Sequence, residues 1–201
     1  MADWPGAPEK LSTEDRRRFR DALAENLRLS ALMENVVLLA APDLHAKNLD
    51  RLRAVAELGH DLKPDGDAII ETVMGGQPSQ WDDVRAAMVE RLTDWAKIAE
   101  QTKSTIAIKA HISGAAHRPE HVRWLLDQVK SPSLKAAFDF SHFQLRGLSL
   151  KESWTICHCC KKATMVLRTD SDVSCQLAIT WRKLPACGGR KTQARSLGHL
   201  P

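Results

Sequence analysis

No cysteine precedes Cys157, although five lie between it and Cys187. An odd number, in a chain whose first twenty residues carry no apolar stretch of the signal-peptide kind, argues against a disulfide framework. No apolar run approaches the roughly 18 residues that span a bilayer, so no membrane partner is expected and a cytoplasmic location is. Basic excess is missing from the main body as well. Residues 151–201 hold 9 Lys+Arg against 3 Asp+Glu, which leaves residues 1–150 with 20 against 22. The net charge of +4 therefore belongs to the tail, and the body offers no basic surface for nucleic acid. Length is short too: a complete (β/α)8 barrel takes about 250 residues, and this chain has 201.

What is present is alternation. A helix is expected from Ser12 to Leu27, with Ser12 or Thr13 as cap and Leu11, Phe19, Leu23 and Leu27 on one face. Leu27 to Met33 reads as a strand, followed by Glu34 and Asn35. Ala46 to Leu58 reads as a helix stopped by Gly59. Asp67 to Met74 is a strand candidate ended by Gly75 and Gly76. Residues 79–100 repeat Trp81, Val84, Met88, Leu92, Trp95 and Ile98 at helical spacing. Thr105 to Ile108 is a β-branched strand, Pro119 opens another helix, and Ser131-Pro132 breaks it before a strand over Leu134 to Phe140. Four such alternations predict a parallel sheet with right-handed crossovers. Glu34, Glu71, Lys109, His111, Asp139 and His142 then fall at or near carboxyl ends of strands, where a common site would lie.

Asp139-Phe-Ser-His142 places a carboxylate and an imidazole three residues apart where a strand meets a loop. The pair can converge on one divalent cation, Mg²⁺ or Mn²⁺ by its oxygen, Zn²⁺ or Co²⁺ by its nitrogen. The plainer alternative is an aspartate at the cap of the next turn beside a half-buried histidine. Lys109 can hold an anion or, if burial depresses its pKa, act as a base; alternatively it is solvated, with His111 satisfied by backbone. Glu71 and Glu34 are further carboxylates, each with an alternative as cap partner or surface charge. Trp81, Trp95 and Trp124 sit at packing positions, and His117 and His121 fall on a loop and an outer helix face. Cys157-His-Cys-Cys160, completed by Cys175 or Cys187, has some of the makings of a zinc site, but no second CxxC follows.

The stretch IAIKAHISGAAHRPEHVRWLLDQVKSPSLKAAFDFSHFQLRGLSLKES, Ile106 to Ser153, resembles the middle of sugar phosphate isomerase/epimerase proteins of the xylose-isomerase-like TIM-barrel superfamily. The resemblance extends more weakly back to Leu27. It implies a partial (β/α)8 barrel over residues 1–150, about four parallel strands with outer helices, followed by an irregular Cys-rich basic tail over 151–201. It implies Asp139 and His142 as a metal-binding pair for Mn, Mg, Co or Zn; strand-end position adds Glu71 as a further ligand, Lys109 and His111 as catalytic groups, and Glu34 at the substrate. The ligand would be a sugar or sugar phosphate, its carbonyl and hydroxyl polarised by the metal.

Lys109 departs from the family pattern, which commonly has a metal-binding glutamate there. Either the metal is lost, or His111 or Glu71 substitutes, or Lys109 has taken over the substrate. The resemblance also implies missing strands, hence unpaired edges, self-association, or an inactive fragment. The tail suggests a shifted reading frame: with silent codon positions chosen freely, Lys161 to Trp181 can be re-read as KGDDGPSNGFRCQLPAGDYV, which resembles a later segment of the family.

Overall fold

The computed structural model describes residues 6–27 and 29–158. Helix α1 (Thr13–Asn26) is followed by β1 (Leu32–Met33), α2 (Pro42–Leu62), β2 (Ala68–Val73), α3 (Trp81–Gln101), β3 (Ser104–Lys109), α4 (Pro119–Val129), β4 (Leu134–Ala137), α5 (Phe140–Gln144) and α6 (Leu150–His158). The strands form one parallel sheet in the order β1-β2-β3-β4. Parallel neighbours cannot be joined by a tight hairpin; each crossover here is a helix, α2, α3 or α4. This is the parallel sheet that the alternation predicts, and it agrees with the partial α/β barrel that the resemblance implies. Among the described residues no helix is long and apolar enough to cross a membrane.

Local chemistry explains most boundaries. Ser12 and Asp15 close a capping box at α1, the Asp15 amide donating to Ser12 Oγ at 3.1 Å and the Ser12 amide to Asp15 Oδ2 at 3.2 Å. Pro119 opens α4 at its first turn, and Lys130 ends it in the left-handed region at φ 58°.

Four elements differ from expectation. Helix α2 starts at Pro42 and runs through Gly59 to Leu62. Gly59 is not a stop but a close approach: a Cβ there would lie 2.9 Å from Ala68 Cβ at the start of β2. Strand β1 is only two residues long; the Glu34 amide, donating to the Glu71 carbonyl at 3.0 Å, extends the pairing by one bond. Strand β4 ends at Ala137, and Phe138 instead packs against Phe143 and Trp154. Residues 151–158, expected to begin an irregular tail, are helical. Ser149 and Glu152 make a second reciprocal cap at the start of α6. The zinc expectation on Cys157, Cys159, Cys160, Cys175 and Cys187 lies outside the described side chains.

Register divides the sheet into two unlike faces. Ile70, Ile106, Ile108, Leu134 and Ala136 face the helices and bury against Leu52, Val55, Met88, Leu92, Trp95 and Leu125. The opposite face carries a smaller cluster, Ile69, Ala107 and Ala137 with Ala31 against them. Glu71 stands opposite Met33 and Ala107, and Lys109 opposite Val73 and Ala137, so both charged residues belong to this second face.

At the outer layer His121 is turned inward rather than to solvent. It stacks on Trp81 at 4.0 Å and 8°, with His117 edge-on at 4.7 Å. Burial, reinforced by the nearby charges of His117 and Arg118, lowers its pKa to about 4. The unfolded chain, with a histidine pKa near 6.5, takes up this proton first as pH falls. Stability contributed by neutral His121 is therefore complete above pH ~6.5 and lost between there and pH ~4, on the order of 1–2 kcal/mol after solvent screening. In urea unfolding across that range, His121→Phe keeps the stack and gives a shallower slope than wild type; an unchanged slope would rule this residue out as the source.

Candidate functional site

In a parallel sheet all strands end at the same rim, and loops from that rim enclose ligands. Here the rim holds a cleft of about 580 Å³ bordered by Met33, Asn35, Val73, Gly75, Gly76, Lys109, His111, Ser113, Gly114, Asp139, Ser141 and His142. Gly75 and Gly76, at φ 74° and 76°, take the chain out of β2 through the left-handed region. Gly76 also passes so near Ala115 that a Cβ would lie 2.9 Å from its methyl group. The Ala115 amide donates to the Gly75 carbonyl at 2.9 Å, which joins the loop after β2 to the loop after β3.

The floor of the cleft is an ionic cluster. Lys109 is 2% exposed, and its Nζ lies 2.7 Å from Glu71 Oε1 and 3.7 Å from Asp139 Oδ2. Ser141 Oγ donates to Asp139 Oδ1 at 2.6 Å, so both carboxylate oxygens of Asp139 face a partner. His142 Nε2 lies 3.6 Å from Asp139 Oδ2, while the Ile112 amide donates to His142 Nδ1 at 3.4 Å. The His111 and His142 rings are 4.3 Å apart and tilted by 50°.

The His111 Nδ1 accepts from the Ser113 amide at 3.3 Å and lies 2.7 Å from Ser113 Oγ. Accepting from an amide fixes the lone pair on Nδ1 and the proton of the neutral ring on Nε2. Burial lowers the His111 pKa, the Lys109 charge adds to the effect, and Asp139 opposes it. His111 is thus a neutral imidazole at neutral pH.

Five of the six residues expected at the strand ends meet here: Glu71, Lys109, His111, Asp139 and His142. Glu34 does not. Its neighbours Met33 and Asn35 border the cleft, and strand alternation turns the side chain between them away. Its carboxylate instead lies 3.5 Å from Arg51 Nε on α2. Asp139 does occupy the cap position of α5, as the plainer alternative had it, yet its side chain makes no capping bond and faces Lys109, Ser141 and His142. Sequence reasoning missed Ser113 and Ser141, whose one signal is placement two residues beyond His111 and inside the Asp-Phe-Ser-His tetrapeptide.

The divalent cation expected from the sequence does not fit this donor set. The Lys109 ammonium stands between the two carboxylates that would hold it, and among the described residues no three His, Cys, Asp or Glu side chains converge on a point. A histidine that ligates through Nε2 presents a lone pair there and donates with Nδ1. His142 has the reverse arrangement, because Nδ1 accepts from Ile112.

Residues 2–174 match the family model described as xylose isomerase-like TIM barrel, a wider span than the sequence stretch that carries the resemblance. No curated protein matches the chain by sequence. Among solved structures, 3-keto-D-glucoside 4-epimerase from E. coli in its apo form superimposes with a TM-score of 0.64 at 10% identity, over 77% of this chain and 64% of that one. D-allulose 3-epimerase from Methylomonas sp., in complex with D-allulose, gives 0.59 at 17% identity over 80% and 57%. The IolI protein with a bound zinc atom gives 0.56 at 17% over 74% and 53%. These likenesses concern the fold. The chain spans somewhat over half the length of these structures.

Proposed function

This chain belongs to the xylose isomerase-like TIM barrel family, and we propose on that premise that its cleft takes a small sugar or sugar phosphate in the isomerase and epimerase lineage. One observation carries the reading: Lys109, His111, Asp139 and His142 border a single cleft at the carboxyl rim of the parallel sheet. Moving a stereocentre or a carbonyl along a sugar requires a proton to leave a carbon beside the carbonyl while the oxygen gathers charge. The Lys109 ammonium has donors beyond the one directed at Glu71 and is the group placed to meet that oxygen. His111, neutral with Nδ1 accepting from Ser113 and its proton on Nε2, donates to that oxygen, and the Asp139 carboxylate at the border of the cleft takes the proton that leaves carbon. His142, tied to Ile112, orients hydroxyl groups. Since the residues present do not fit a divalent metal, no step is routed through one.

A catalytically inactive member of the family is the second reading, favoured by the absence among the described residues of three converging metal-type ligands. Deuterium uptake from D2O beside the carbonyl, followed by NMR over panels of ketoses, aldoses and their phosphates, separates the two. Exchange that His111→Asn reduces at least ~100-fold supports the first. A folded protein that exchanges no member of the panel, and whose unfolding temperature no member raises, supports the second.

A further inference from the structure

We propose that Lys109 is the resident cation of this cleft: its ammonium stands in for a divalent metal between Glu71 and Asp139, and removing its charge opens a metal site that the wild-type chain lacks. Glu71 and Asp139 are 6% and 4% exposed, and buried carboxylates need a counter-charge. Among the described residues the ion pairs to Glu71 and Asp139 both come from Lys109, while the neutral His142 places Nε2 3.6 Å from Asp139 Oδ2. The lysine is itself 2% exposed, rising from the end of β3 between β2 and the segment that follows β4. Its charge is therefore enclosed, with oxygens of two different chain segments on either side of it.

The comparison between ammonium and metal is chemical. Both supply positive charge to two carboxylates and to an incoming oxygen. The ammonium is covalently anchored, directs three N–H bonds, and cannot be removed by a chelator. A metal needs lone pairs from several donors at about 2.0–2.6 Å and a histidine nitrogen free of its proton. The cleft provides for the first and not the second. Asp139 Oδ1 is held by Ser141, and the Ile112 amide sets the His142 tautomer against ligation. Exchanging Lys109 for glutamate removes the competing charge and adds a carboxylate. Glu71, Asp139 and the new side chain then make an all-oxygen set that suits Mn²⁺.

The test uses Mn²⁺ alone on the full chain and so does not depend on the sugar reading: failure of either leaves the other standing. Bound Mn²⁺ is counted by equilibrium dialysis with electron paramagnetic resonance, alongside thermal unfolding. Wild type is expected to bind no stoichiometric Mn²⁺ and to unfold at the same temperature with Mn²⁺ or EDTA. Lys109→Glu is expected to bind one Mn²⁺ per chain and to unfold at a temperature that climbs with Mn²⁺ concentration. Lys109→Gln, which loses the charge without gaining a carboxylate, is expected to bind Mn²⁺ more weakly than Lys109→Glu. If Lys109→Glu folds only when refolded with Mn²⁺, that dependence is itself the expected result. Stoichiometric Mn²⁺ on wild type that disappears in Glu71→Gln would overturn the proposal. So would folded Lys109→Glu and Lys109→Gln that both bind none, or folded Lys109→Gln that binds none while Lys109→Glu stays unfolded with the metal.

Discussion

Lys109→Met lowers the free energy of unfolding by about 3–5 kcal/mol, the loss typical of a buried ion pair deprived of one partner. Methionine keeps most of the lysine's length and shape, so packing changes little and the loss is electrostatic. Two carboxylates that are 6% and 4% exposed stay in place without the ammonium that faces them. The penalty comes from the orphaned charges rather than from the worth of the pair. It follows that Lys109→Met combined with Glu71→Gln recovers the larger part of the loss. The recovery is incomplete because Asp139, which keeps Ser141 and His142 among the described residues, still lacks a cation. Urea unfolding of the four proteins in this cycle measures it directly. A Lys109→Met chain within ~0.5 kcal/mol of wild type, the range of ordinary surface substitutions, would mean that the cluster is open to water.

Trp95→Ala costs about 3–5 kcal/mol, through lost apolar contact and the space left behind. Trp95 is 0% exposed and sits at the middle of the helix-facing core. Its indole Nε1 is buried with no hydrogen-bond partner among the described residues, an arrangement that costs on the order of 1–3 kcal/mol by itself. Trp95→Phe gives up indole area but also removes that orphaned donor. The two effects oppose, and the net loss is expected within ~1.5 kcal/mol. Differential scanning calorimetry on both variants checks the pair. Equal losses for Ala and Phe would show that the N–H has a partner after all, or that the surroundings collapse onto whatever is left.

Much of this architecture was legible because it is written locally. Hydrophobic spacing in α3, the proline that opens α4 and the β-branched run in β3 each act within a few residues of themselves. Their alternation leaves few topologies, of which a parallel sheet is the simplest. The site was legible to the same depth. Strand ends of a parallel sheet share a rim, so of the six polar residues expected at those ends five meet. What escaped depends on partners distant in sequence. Glu34 was misplaced because β1 is too short for its pattern to reveal which side chains alternate inward. The role of Lys109 depends on register, which sets Glu71 across the sheet one pleat below it. Gly59 looked like a helix stop, since sequence shows the missing side chain but not the strand that passes close by.

That near contact between α2 and β2 carries a consequence for anyone seeking hardier variants. Glycine within a long helix is ordinarily an inviting residue to exchange for alanine. At position 59 the added methyl group would press on Ala68, three residues before Glu71 on the same strand. A substitution made at this helix–sheet contact, with only robustness in mind, would thus press on the strand that carries Glu71. Durability and chemistry are joined there through one missing carbon atom.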